Sequence, residues 1–316
     1  GVKEHDAVWC LERAERADGG TESLRHAARL WLDRAELRLR AGERGEAARA
    51  VKRAVALGPG GEDLWRAAGV YRGLGAYDEA AVLLEGLTRR SPGKAGLWVD
   101  LAESRLRSGE RDAAERSLER AAGLSPGEEE SRRLALLYGE LGRFGRAEEM
   151  FAGLLRKRPR DAGLMIERAS ALFGSGDKDG GARLLGKALS SKPTARERHR
   201  AALAYQRMGE YRRAIAILEP LTRGGALAAE ALKDKGICEH LRGSSERGVA
   251  DLEAALRLEP GLLSAYLTLG AVHVSQGKED EARKVYERGL AAAPREDEII
   301  NRDLLLRSLE RIGESE

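Results

Sequence analysis

The sequence predicts an all-α solenoid of about eight helix-turn-helix repeats, and three spacings carry that reading. Pro59, Pro92, Pro126, Pro159 and Pro193 follow one another at 33, 34, 33 and 34 residues, and Pro260 and Pro294 resume the series after Ala226. Gly42, Gly75, Gly109, Gly142, Gly176, Gly209, Gly243 and Gly277 recur in the same register. Small residues fill two more columns, and a fixed period of this length is the signature of a repeat architecture.

Residues 3–17 read as a separate amphipathic helix with Val8, Trp9 and Leu11 apolar, and a second helix from about Thr21 runs into the first repeat. Residues 1–27 are therefore assigned to an N-terminal helical cap and 28–296 to the eight repeats. In each repeat the first helix carries one small column (Ala35, Ala68, Ala102, Ala135, Ala169, Ala202, Gly236, Gly270). The second helix carries the other (Ala47, Ala80, Ala114, Ala147, Gly181, Ala214, Gly248, Ala282), so that the two helices can approach closely. Val51, Leu84, Leu118, Phe151, Leu185, Leu218, Leu252 and Tyr286 fill the space beside them, and the recurrent glycine marks the turn between helices. Pro220 is out of register inside an expected second helix, where its missing N–H and its ring should kink or end the helix. Residues 297–316 make a C-terminal capping helix, with Ile299, Ile300, Leu304, Leu305 and Ile312 on an apolar stripe and Arg302, Arg307 and Arg311 outward. A solenoid needs such caps, because its last apolar face would otherwise meet water.

These columns resemble the tetratricopeptide repeat family, whose pattern is Trp-x2-Leu-Gly-x2-Tyr followed by Ala-x3-Phe, Ala and Pro. The match is closest in Trp65 to Pro92, Leu136 to Pro159 and Tyr266 to Pro294, and it covers residues 28–296. The resemblance implies two antiparallel helices per repeat, a right-handed superhelix and a concave groove lined by the first helices. A second period of 67 residues lies over the first: the run from Trp31 to Arg44 recurs from Trp98 to Arg111.

Composition narrows the function. The formal net charge is +3, from 55 basic and 52 acidic side chains, and the signs are interspersed, which argues against nucleic acid or anionic lipid as partner. Only eleven of the basic residues are Lys, and Asn301 is the single Asn, a bias that suggests a GC-rich bacterial genome. Cys10 and Cys238 form no Cys-x2-Cys and read as free thiols, and no apolar run is long enough to enter a membrane. No phosphate loop, zinc helix or nucleophile elbow is present, so the expectation is no enzyme, no catalytic residue, no metal and no cofactor. His240 and His273 stand one repeat apart without a third ligand column, and Glu128-Glu129-Glu130 suits a helix start.

In the resembled family, positions 2, 5, 6, 9, 12 and 13 of each first helix face the ligand. Position 6 here alternates in sign: Asp33, Arg66, Asp100, Arg133, Glu167, Arg200, Asp234, then Thr268. Strict alternation is what internal pairing between neighbouring helices requires, so a self-compensating ladder is favoured over a row of charged hooks. Position 5 carries Trp65, with Gly69 and Gly73 expected to leave room beside it, and His199 further along. The candidate partner-binding residues are Trp65, Arg66, Arg72, Arg133, His199, Arg200 and Arg207. A chaperone-type carboxylate clamp is absent, since it needs groove Asn. The expected function is a scaffold or adaptor that binds a protein or peptide partner in the groove. The alternative is a structural spacer in a bacterial envelope assembly, working through its convex face and ends. Either role suits a cytoplasmic or periplasmic protein and a place in a larger complex.

Overall fold

A computed structural model of the chain describes residues 21–292 and 299–313. Seventeen α-helices and no strand occur among the described residues. The chain divides into two compact units, 1–150 and 151–316. In the first, α1 (Thr21–Arg40) pairs with α2 (Arg44–Ala56), α3 (Gly61–Gly73) with α4 (Tyr77–Arg90) and α5 (Ala95–Arg107) with α6 (Arg111–Ala122). The helix α7 (Glu128–Glu140) leads into α8 (Phe144–Lys157), within which the division falls. In the second unit, α9 (Ala162–Gly174) pairs with α10 (Lys178–Ser190) and α11 (Ala195–Arg207) with α12 (Tyr211–Leu218). Then α13 (Ala228–Leu241) pairs with α14 (Ser245–Leu258), α15 (Leu263–Ser275) with α16 (Glu279–Ala292), and α17 (Ile299–Gly313) follows.

All eight column glycines adopt positive φ, between 70° and 95°, which an L side chain resists. At the first, the Gly42 N–H donates to the Leu39 carbonyl at 3.1 Å and the Glu43 N–H to the Arg38 carbonyl at 2.9 Å. That pattern closes the helix and turns the chain back within three residues. Pro220 ends α12 after eight residues, and a 3-10 turn, Glu219–Arg223, takes over. The three glutamates Glu128, Glu129 and Glu130 form the first turn of α7, where negative charge meets the free N–H groups.

Helices of thirteen residues are marginal alone, so their stability comes from packing. The first-helix column Ala35, Ala68, Ala102, Ala135, Ala169 and Ala202 is buried throughout, as are Ala47, Ala80, Ala114, Ala147 and Ala214 opposite. Where alanine gives way to glycine the approach is closer or a ring enters. A Cβ on Gly236 would lie 2.8 Å from the Gly248 carbonyl oxygen, and one on Gly270 would collide with Tyr286. Each core also borrows from the next repeat. Trp31, Leu32, Ala35 and Val51 pack with Ala67 and Val70, and Tyr266, Leu269 and Tyr286 pack with Leu305 and Ile312 of α17.

Two details differ from the sequence reading. Leu304, placed on the apolar stripe of the final helix, is 43% exposed, while Leu305 and Ile312 carry the contact. A helical stripe is set by the neighbour it meets, and here that neighbour takes the narrower face. The proposed helix over 3–17, Cys10 and Pro294 lie outside the described residues, as do the side chains of Ile299, Ile300 and Arg302.

Gly236→Ala should force α13 and α14 apart and lower stability by about 1–3 kcal/mol, the usual range for overpacking. Gly186→Ala, in an open position of α10, should instead stabilise by roughly 0.5–1 kcal/mol. Urea titration followed by circular dichroism measures both.

Candidate functional site

Within the first compact unit, the position-6 column is an inter-helix ladder. Arg66 donates to Asp33 at 2.6 Å and to Glu36 at 3.0 Å, and Arg133 donates to Asp100 and to Glu103, each at 2.7 Å. These are the contacts the alternating signs predict. The hydrogen bond that Arg66 donates to Asp33 raises its pKa despite partial burial. In the second unit Arg200 donates to Glu167, which continues the rule.

Asp100 is the hub. Its carboxylate is buried and receives the Trp65 indole N–H at 2.5 Å and the guanidinium groups of Arg133 and Arg72. Glu103 accepts a hydrogen bond from Arg133 and forms an ion pair with Arg72 at 3.3 Å. Three successive first helices are therefore joined at one acidic pair. The sequence reading overlooked Glu36 and Glu103, although Asp33-x2-Glu36 and Asp100-x2-Glu103 put both acids of each pair on one helix face.

The second unit repeats the theme with a different ring. His199 Nε2 lies 2.7 Å from Asp234 Oδ2, and Lys233 Nζ lies 3.3 Å from Asp234 Oδ1. Trp65 to Asp100 and His199 to Asp234 both span 35 residues, so the same position of an even repeat reaches the acid of the next one. His199 is buried in this pair, whereas Arg207 is exposed and donates to the Ser170 hydroxyl at 3.2 Å.

Trp65 is 38% exposed. Gly69 beside it is open, as expected, but Gly73 is not: Leu39 of α1 fills its place, with Cδ2 only 2.6 Å from where a Cβ would stand. The indole instead lies against Gly96 of α5, whose Cβ position is 3.5 Å from Trp65 Cζ2. Room for the ring comes from a glycine in the next repeat, which a search along its own helix misses.

The remaining reactive groups are held by the fold. The Cys238 thiol is buried, and burial, then Asp234 and Glu239, push its pKa up to about 12. His240 shares hydrogen bonds with Ser245 at 2.9 Å and Ser275 at 3.4 Å. No group of three or more metal-ligating side chains occurs among the described residues, and no described helix is long and apolar enough to cross a membrane.

Short paired helices that present ordered side chains from their first members define a helical-repeat interaction scaffold. Family models described as tetratricopeptide repeat match residues 71–137 in one case and 132–196, 199–261 and 242–297 in another. The chain belongs to the tetratricopeptide repeat family. A tetratricopeptide repeat protein from Parabacteroides merdae aligns over 79% of this chain and 98% of its own, with 18% identity and a TM-score of 0.55. Yeast Tom70 aligns over 98% of this chain and 58% of its own, with 17% identity and a TM-score of 0.50. At such identities the likeness shows the fold. No curated protein matches the sequence.

Asp100→Ala should strand Trp65, Arg72 and Arg133 and destabilise the chain by about 3 kcal/mol, as expected when one partner of a buried ionic cluster is removed. Chemical denaturation measures it. In a Cys10→Ser background, Cys238 should give no reaction with Ellman's reagent while folded and one thiol per chain in guanidinium.

Proposed function

We propose that the chain is an adaptor that binds a peptide or a partner helix on the first-helix face of its 1–150 unit, with Trp65 as the apolar anchor. The observation that carries the reading is the state of that tryptophan. Its ring is fixed by the hydrogen bond to Asp100 and by packing on Gly96, yet more than a third of it is open beside Gly69. An aromatic group already held in one rotamer loses little conformational freedom on binding. Leu136, two repeats on at the position of Gly69, adds a second apolar group, at 43% exposure.

The charged members of the site support this role by orientation. Arg66, Arg72 and Arg133 are committed to carboxylates, so the surface is close to neutral and offers guanidinium edges as hydrogen-bond donors. The Arg66–Asp33 pair, partly exposed on both sides, contributes only about 0–1 kcal/mol, so a ligand can compete for Arg66 at small cost. On this reading the partner is a protein, and neither catalysis nor a cofactor is involved. Arginines already paired with carboxylates of the chain are poor receptors for the phosphates of a nucleic acid.

Partners recovered by affinity purification and mass spectrometry supply the ligand, and calorimetry supplies its affinity. Trp65→Ala should weaken binding roughly tenfold or more, since a central aromatic anchor carries about 2 kcal/mol or more. The helical circular dichroism should be retained. Unchanged affinity in Trp65→Ala, with binding abolished by substitutions on the second helices, would move the function to the opposite face and to the envelope-spacer role.

A further inference from the structure

Arg207 breaks the pairing rule that the other guanidinium groups of the site obey. Arg66, Arg72, Arg133 and Arg200 each meet at least one carboxylate. Arg107, at position 13 like Arg207, makes a two-pronged contact with Glu140 in the next repeat, at 2.7 and 3.1 Å. Arg207 has only the Ser170 hydroxyl, at 3.2 Å.

The internal repeat explains the deficit. Ser170 occupies the position where Glu103 stands one 67-residue block earlier, so the second acid of the pair is missing. In the same column, Arg207 takes the place of Glu140, and Gly174 that of Arg107. The column neighbours of Arg207 are thus Gly174 before it and Leu241 after it, neither charged, and Leu241 is 51% exposed. The electrostatic consequence is opposite in the two cases. The hydrogen bonds that Arg107 donates to Glu140 raise its pKa, whereas burial and then Arg200 lower that of Arg207. Arg207 is exposed, so a carboxylate arriving from solvent can reach it.

We infer that Arg207, with Leu241 beside it, is a receptor in the second compact unit for an acidic side chain flanked by a large apolar side chain on a partner segment. An incoming carboxylate supplies the counter-charge that Glu140 supplies to Arg107, and planar, two-pronged guanidinium recognition favours that group. A side-chain carboxylate within a continuing segment fits better than a chain terminus, because Arg207 is the one arginine among the candidate residues without a carboxylate and the next position of its column is the exposed, apolar Leu241. The inference rests on the adaptor reading for its biological sense, but its site is separate from Trp65.

The test is a titration of the full chain, watching arginine Nε–H resonances by NMR, with the Arg207 signal assigned by its loss in Arg207→Lys. The probes are three short peptides, two of them blocked at both ends. One has a central Glu between two Leu, one has Gln in its place, and one is apolar with a free C-terminal carboxylate. The Glu peptide should shift the Arg207 signal saturably, the Gln peptide at least fivefold more weakly, and Arg207→Ala should abolish the preference with its helical spectrum intact. Leu241→Ala should weaken the Glu peptide, and Trp65→Ala should leave this titration unchanged. Equal responses to Glu and Gln peptides, a preference that survives Arg207→Ala, or a stronger response to the free terminus would overturn the assignment. A loss of binding in Trp65→Ala alone leaves this result standing and bears only on the first site.

Discussion

The constraint on which the structure depends is the close approach of the two helices in each repeat. A thirteen-residue helix has too few internal hydrogen bonds to persist in water, and only contact along its length holds it. That contact is possible because Ala35 faces the second helix where Ala47 faces the first, and so on through the array, at zero or near-zero exposure. Where both residues are glycine, at 236 and 248, no side-chain atom separates the backbones. Where a ring must be housed, as with Tyr286 beside Gly270 or Phe173 beside Gly181, the small column yields its methyl group to make the space. The positive-φ glycine then follows as a necessity, since a helix reversal this tight leaves no other residue without strain.

Pairing covers one face of each helix, and the neighbouring repeat covers another. The charged ladder belongs to this second level. Odd repeats place carboxylates at position 6, and even repeats reach them from both sides: Trp65 and Arg72 reach forward to Asp100, and Arg133 reaches back to it. His199 reaches forward to Asp234 in the same way. A tryptophan and a histidine, unlike in charge and size, do the same work because each offers a ring N–H at the same point of the repeat. Such pairs stabilise weakly one by one, but they fix the register in which adjacent helices meet.

Much of this was legible in the sequence, and the limit has a physical cause. A turn that needs positive φ has essentially one answer, so the glycine column could be read directly, and Pro220 likewise announced the end of α12. The alternating signs named the right partners for Arg66 and Arg133, since charges 33 residues apart in a 33-to-34-residue repeat must lie on adjacent helices. Site geometry was less accessible. The space at Gly73 is filled by Leu39, and the indole of Trp65 lies on Gly96, in each case a contact made 31 to 34 residues away by a long side chain whose rotamer the pattern does not specify. The burial of His199 depends in the same way on where Asp234 sits.

Compensation itself bears on recognition. Where every charge is matched, a surface selects ligands by shape and apolar contact, and its few unmatched groups acquire disproportionate influence on specificity. In the 1–150 unit the ladder arginines Arg66, Arg72 and Arg133 all meet carboxylates, and Trp65 stays partly open beside them. The 151–316 unit departs from the pattern at Ser170, which stands where the first block has Glu103, and at Arg207, which stands where it has Glu140, so an acid is lost at both places and a guanidinium is gained. A ladder that served stacking alone would gain nothing from a guanidinium whose two neighbours in the column, Gly174 and Leu241, are both uncharged. Arg207, exposed and without a carboxylate partner, is better understood as a place in the ladder for a carboxylate that arrives from outside.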